Sequence, residues 1–466
     1  MKALSLFAIT SALALLQCPV AGAQQSLTSS DAHNMSAMSP SQPSPGAASG
    51  LLPQIGDEQT ASGPAYQLAE LEAKALAHSP TLVQAEAGVE ITQGRQKQAG
   101  LWPNPTVAYF GDEIAGGRGV NGGRQGGYIE QTIVLGRKLY LAQQVAGSEA
   151  KIAALAKEEQ TYRVKNAVRT AYFQTLAAQE MTALTNQYVE LATRMLDTAR
   201  RLQNMGARDQ SEVAAAEIEL ERAKLNADVA QSQLVAQWEE LRAVVGDTSL
   251  PMGHVAGKLD EEVPQIDSTH LVEQLLAESP AIKMAKEDRS RAESALTAAQ
   301  RRAIPDVTLR AGLEQNFETN DLTGQPFGVQ GVAEARIELP IFNRNQGNVL
   351  AARAELRRAA SESDRAALAL RQQAAMVVGQ YQTARLTVER YRSEILPRSR
   401  ALYEMQRKAW TGMALSYPQV LLAQQGLFAA QAEYIRALRE LRTNAVALSG
   451  FLLTDGLAGP MAASRQ

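Results

Sequence analysis

Apolar and polar positions alternate strictly over two short stretches in the second half of the chain. Val307, Leu309, Ala311 and Leu313 fall on one side of the first stretch, and Thr308, Arg310, Gly312 and Glu314 on the other. In the second, Ala333, Ala335, Ile337 and Leu339 oppose Glu334, Arg336 and Glu338. A period of two predicts half-buried strands, joined by a loop from Thr319 to Gly328. An earlier pair reads less cleanly, with Val107, Ala108, Tyr109 and Phe110 in one strand, Tyr128 to Leu135 in its partner, and a loop from Gly116 to Gly127. Elsewhere the spacing is near 3.5: Leu184, Tyr188, Leu191 and Met195 step by 4, 3 and 4, as do Leu234, Trp238, Leu241 and Val245. That period keeps an apolar seam against a partner helix and supercoils it to the left. Roughly 65 residues from Leu139 to Gln203 would make a rod of about 100 Å at roughly 1.5 Å per residue.

These elements recur. Ala77-His78-Ser79-Pro80 is echoed by Ala277-Glu278-Ser279-Pro280, and Pro105-Thr106-Val107 by Pro305-Asp306-Val307, both at an offset of 200. Leu135 then matches Leu339, and Gly206 matches Gly412, so the order predicts a duplicated unit. Each copy reads as a short helix, a Ser-Pro step, a second helix, two strands, and two long helices joined at a glycine. The predicted organisation is a signal peptide over 1–23, a flexible leader over 24–64 and a first unit over 65–247. An inter-repeat linker over 248–267, a second unit over 268–453 and a flexible tail over 454–466 complete it.

The first residues carry Lys2, an apolar run from Leu4 to Leu16, and Ala21-Gly22-Ala23, the layout of a secretory signal cleaved after Ala23. Cys18, the one cysteine of the sequence, lies inside it, so disulfide frameworks and cysteine metal clusters are excluded from the mature chain. Lipid attachment at Cys18 is the alternative reading, opposed by Gln17 where a small residue is preferred. No later stretch has the ~18 apolar residues of a membrane helix. A net charge of −3 and the absence of a Lys/Arg block give no reason to expect nucleic acid as a partner. Aromatics make up only 5% of residues, against abundant Ala, Gln, Glu, Arg and Leu, the vocabulary of long helices.

Four strands with one polar face cannot close a barrel alone, and an open edge is intolerable in lipid. Copies would have to pool their strands, and three chains would supply 12. An ordinary soluble sheet with one solvated face is the other reading of the alternation. Two stretches carry a family resemblance: Gln98-Ala99-Gly100-Leu101-Trp102-Pro103-Asn104-Pro105 and Ile129-Glu130-Gln131-Thr132-Ile133-Val134-Leu135-Gly136-Arg137-Lys138. With the layout from about Tyr66 to Leu453 they resemble the TolC family of outer-membrane efflux proteins, in particular its cobalt-zinc-cadmium resistance branch. The resemblance implies a mainly α chain with a small β part: a homotrimer with a 12-stranded barrel in the outer membrane and a helical barrel in the periplasm. It also implies docking to a periplasmic adaptor and an inner-membrane pump of the resistance-nodulation-division class.

Under that reading Arg310, Glu334, Arg336 and Glu338 line the lumen, and the helix pairs turn at periplasmic tips around Gly206 and Gly412. The family's arginine two residues after the glycine and acid six after it are matched by Arg208 and Glu212, whereas the second tip has Ala414 and Pro418. Three copies of Glu212 would make an acidic ring at the mouth; a solvated Arg–Glu pair is the competing reading. His33, Met35 and Met38 in the leader suit soft metal ions by chemistry, though a plain linker explains them as well. His78, His254 and His270 show no ligand spacing. No phosphate loop, His-Glu-x-x-His pattern or nucleophile elbow occurs, so neither an enzyme nor a resident cofactor is expected. Three readings remain: an efflux duct for heavy-metal cations such as Co/Zn/Cd or Cu/Ag, a duct for drugs or other organic molecules, and a soluble periplasmic coiled-coil adaptor or scaffold.

Overall fold

The computed structural model describes residues 63–113, 123–261, 266, 268–319, 322 and 324–459. Cys18, His33, Met35 and Met38 lie outside the described residues.

The chain runs β1 (Ala65–Tyr66), α1 (Leu68–His78), α2 (Pro80–Ala99), β2 (Thr106–Asp112), β3 (Arg124–Ile133), α3 (Lys138–Asn204), α4 (Gln210–Val245) and β4 (His254–Val255). It continues with α5 (Ser268–Glu278), α6 (Pro280–Arg301), β5 (Val307–Thr319), β6 (Pro326–Ile337), α7 (Gln346–Arg390), α8 (Leu396–Thr411) and α9 (Tyr417–Ser449). Pro80 and Pro280 open α2 and α6, where the missing N–H has no helical partner to lose. The rod expected from the periodicity is α3, 67 residues without a break, or about 100 Å.

A second long rod is interrupted. Between α7 and α8 lies a five-residue π-helical turn, Tyr391–Ile395, one residue short of the imide Pro397. A proline has no N–H for the carbonyl four residues back and crowds it; a wider turn is one way for a continuous rod to absorb this.

The helices form an open layer, four across at each level. Towards the sheet the order is α2, α3, α6, α7; away from it, α4 packs on α3, α3 on α9, and α9 on α7 and α8. Between the levels β1 pairs in parallel with β4, Ala65 opposite His254 and Tyr66 opposite Val255. Thus the centre of the segment read as a linker is part of the fold. Around it Tyr66, Leu71, Trp238, Leu241, Val245, Leu259, Ile435 and Leu438 form the largest core.

The tail expected after Thr454 also begins in ordered contact. Asn166, 1% exposed, donates from Nδ2 to the carbonyls of Gly450 (2.8 Å) and Leu453 (2.6 Å). Gln160 and Thr81 both donate to the carbonyl of Gly456. A Cβ on Gly456 would stand 2.7 Å from Ala167 Cβ, so only glycine lets the strap lie this close to α3.

Candidate functional site

One four-stranded antiparallel sheet, in the order β2-β3-β5-β6, is the first candidate surface. Its register sets Thr132 and Arg336 beside Thr308, Glu130 and Glu334 beside Arg310, and Tyr128 and Val332 beside Gly312. These residues share one face. The other carries Val107, Tyr109, Ile129, Ile133, Leu309, Leu313, Val329, Ala333, Ala335 and Ile337, an apolar surface with Val107 75%, Leu313 66% and Val329 71% exposed. A soluble sheet buries its apolar face; this one leaves it bare.

Two glutamines on the apolar face made the first strand pair hard to read. Gln125 accepts the Tyr109 hydroxyl (2.6 Å), and Gln131 donates to the Pro103 carbonyl (2.9 Å). The expected loop to Gly127 is shorter in the structure, because Gly126 and Gly127 belong to β3. A Cβ on Gly126 would meet the Leu313 carbonyl oxygen at 2.3 Å. Glycine here serves close strand approach rather than a turn.

Of the lumen residues expected, Arg310 lies 3.5 Å from Glu334, and Arg336 lies 2.7 Å from the same carboxylate. Glu338 is exposed one residue beyond β6, outside the paired sheet. The alternation missed the aromatic half of the cluster: the Arg310 guanidinium lies 3.5 Å from the Tyr128 ring centre and 5.4 Å from that of Phe110. Its signal was available, since Tyr128 and Glu130 share a parity in β3.

The second candidate surface is the far end of the helices. In the first hairpin Gly206 adopts φ +69°, and the Ala207 N–H reaches back to the Leu202 carbonyl. In the second the left-handed residue is Met413, at φ +64°, and the Ala414 N–H reaches the Ala409 carbonyl. Gly412, at φ −82°, occupies the place of Met205. Matching glycine to glycine therefore misregisters the turns by one residue, and the geometric counterparts of Arg208 and Glu212 are Leu415 and Gln419.

Arg208 and Glu212 turn into the seam between the two tips, with side chains 13% and 11% exposed. Arg208 donates to the Leu415 carbonyl (2.6 Å) and the Trp410 carbonyl (3.3 Å). Glu212 accepts the Trp410 indole N–H (3.3 Å) and the Tyr417 backbone N–H (3.2 Å). The pair is neither a solvated turn contact nor, in this chain, an exposed acid facing a mouth. It staples one hairpin to the other. Trp410 and Tyr417, both fully buried in the tip core with Tyr403 and Val420, were missed, although a tryptophan two residues before Gly412 stands out in an aromatic-poor sequence. Burial raises the Tyr403 hydroxyl to about 12, keeping it neutral at physiological pH.

Among the described residues no cluster of His, Cys, Asp and Glu could hold a metal ion, and no helix is long and apolar enough to cross a membrane. His78 bonds the Lys74 carbonyl, and His270 lies 3.9 Å from Glu273.

Comparison with known proteins agrees with this geometry. The family model described as outer membrane efflux protein matches residues 71–247 and 271–452. The cobalt-zinc-cadmium resistance protein CzcC of Cupriavidus metallidurans is 26% identical over 59% of this chain, and the match spans 64% of that relative, a little under two thirds. The nickel-cobalt-cadmium resistance protein NccC of Alcaligenes xylosoxydans xylosoxydans is 27% identical over 65% of this chain and 67% of its own length. Among solved structures, CusC superposes with a TM-score of 0.70 at 16% identity, covering 84% of this chain and 93% of CusC. VceC of Vibrio cholerae does so at 0.66 and 19%, covering 84% and 96%. Such low identities speak for the fold. The family match, the bare apolar sheet and the long helical layer agree: the chain belongs to the outer membrane efflux protein family.

Proposed function

We propose that the protein is the outer-membrane duct of a tripartite efflux system for heavy-metal cations, acting as a homotrimer. The observation that carries this reading is the pair of open edges. In the sheet, β2 and β6 are edge strands; in the helical layer, α2 and α4 flank one side and α7 and α8 the other. Each half of the chain thus presents one side of an unclosed wall in both layers. An unpaired strand edge costs several kcal/mol per orphan group in lipid, and copies of the same wall remove every such edge by closing a ring. Three copies give a 12-stranded barrel with the apolar face towards lipid. β5, at 13 residues, has a length of about 43 Å, which tilted by ~45° crosses a bilayer core.

The passage would be lined by the mixed-sign cluster of Glu130, Arg310, Glu334 and Arg336, with energy from an inner-membrane pump reached through a periplasmic adaptor. A lumen of both signs binds no single ion tightly and suits a conduit. Metal cargo is supported by what the CzcC and NccC relatives are named for. Deleting the gene and measuring tolerance to cobalt, zinc, cadmium, nickel, copper, silver and several drugs tests the cargo. Lost metal tolerance with intact drug tolerance is the expected result; the converse would make it a duct for organic molecules.

A further inference from the structure

Where strands meet helices, the surface changes character. Leu101, Trp102, Leu339, Ile341 and Phe342 are all exposed there, Phe342 at 91%. Among them stand Arg137, Arg301, Arg302 and Arg344, also exposed. Contacts join these segments into one arc: Gly100 lies against the Gln143 side chain of α3, and Gly136 against Ile304. Asn345 Nδ2 donates to the Ala299 carbonyl (2.7 Å). The Trp102–Pro103 segment sits on the apolar side of the sheet, because Gln131 of that face holds the Pro103 carbonyl.

None of these arginines makes an ion pair among the described residues. Arg137 lies over the Tyr140 ring at 5.2 Å, whereas neighbouring Lys138 is held by Asp306 at 2.9 Å. Helix electrostatics accounts for half of them. Arg301 and Arg302 end α6, where cations are favoured; Arg137 and Arg344 flank the starts of α3 and α7, where cations are disfavoured. Arg137 also occupies a left-handed backbone at φ +59°. Cations held at a cost beside exposed aromatic rings, at one end of an apolar band, match the level of lipid headgroups.

We propose that this collar binds the phosphates of anionic phospholipids and seats the channel at a fixed depth in the periplasmic leaflet. Guanidinium forks take phosphate oxygens in pairs, while Trp102 and Phe342 rest at the interface beside them. The proposal rests on the apolar sheet face lying in lipid.

The test uses the full-length assembly purified in detergent, with its thermal midpoint followed as phosphatidylglycerol or phosphatidylcholine is added. Phosphatidylglycerol is expected to raise the midpoint by about 5 °C more than phosphatidylcholine. An Arg301→Gln/Arg302→Gln/Arg344→Gln variant, with an unchanged midpoint in detergent alone, should lose most of that difference. Equal shifts with both lipids on the wild-type protein, an undiminished shift in the variant, or the same shift with inorganic phosphate would each overturn the collar. Recovery of the chain in a soluble fraction would instead overturn the channel reading, so the two failures are distinguishable.

Discussion

Gly206 and Met413 hold corresponding places in the two hairpin turns, at φ +69° and +64°. A left-handed backbone costs an L-residue about 1–2 kcal/mol, of which glycine's larger unfolded freedom returns about 0.5–1 kcal/mol. Met413→Gly should therefore stabilise the protein by roughly 0.5–1 kcal/mol. Gly206→Ala should destabilise it by about 1 kcal/mol, although no atom lies within 4 Å of the added Cβ. Denaturant midpoints of the two variants check the pair, and shifts of the same sign would refute the turn assignment. The sequence hid this register because a glycine is conspicuous and Gly412 stands one residue from the strained position. Glu180 gives a second test. Burial raises its carboxyl above the ordinary value of 4.5, partly opposed by the Leu259 N–H at 2.9 Å. Below 4.5 both states hold the proton and its contribution is complete; as pH rises towards the raised value, only the unfolded state releases it, and stability falls. Glu180→Gln should match the wild-type midpoint near pH 4 and exceed it at pH 7; a variant weaker at pH 7 would contradict this.

At the level of elements, periodicity carried most of the information. The strict alternation of β5 and β6 and the near-3.5 spacing of α3 and α4 correspond to elements of the structure, as do the Ser-Pro steps before α2 and α6. What was illegible depended on partners distant in sequence. Gly126 is a strand glycine because the neighbouring strand leaves no room for a Cβ; locally it reads as a loop residue. The strap from Gly450 to Gly456 reads as a small-residue tail until Asn166 and Gln160 are seen beneath it. The direction taken by Arg208 and Glu212 was equally hidden, since Trp410 and Tyr417 lie about 200 positions away. Glu212→Ala would leave the Trp410 indole, the Tyr417 N–H and Arg208 without their carboxylate, a local cost of about 2–3 kcal/mol. Amide exchange at 201–215 and 408–420 should accelerate together and leak current in a planar bilayer should rise. If only the first segment loosens, the two tips are not stapled.

For the whole molecule, the polar face and the bare apolar face of the sheet are one fact seen from two sides. Neither makes sense for a solitary chain in water or in lipid. Sequence reasoning reached this point because the number of strands can be counted from alternation, and four are too few to close. It could not show which strands lie at the edges. The order β2-β3-β5-β6 does, joining the two halves through β3 and β5 and leaving β2 and β6 at the edges. The most direct measurement is the native mass of the protein extracted from outer membranes, before and after boiling. The expected result is a heat-sensitive assembly of three chains in the membrane fraction, with its strand amides protected from exchange. A monomer recovered from the periplasm, or a membrane species whose β2 and β6 amides exchange freely, would contradict it.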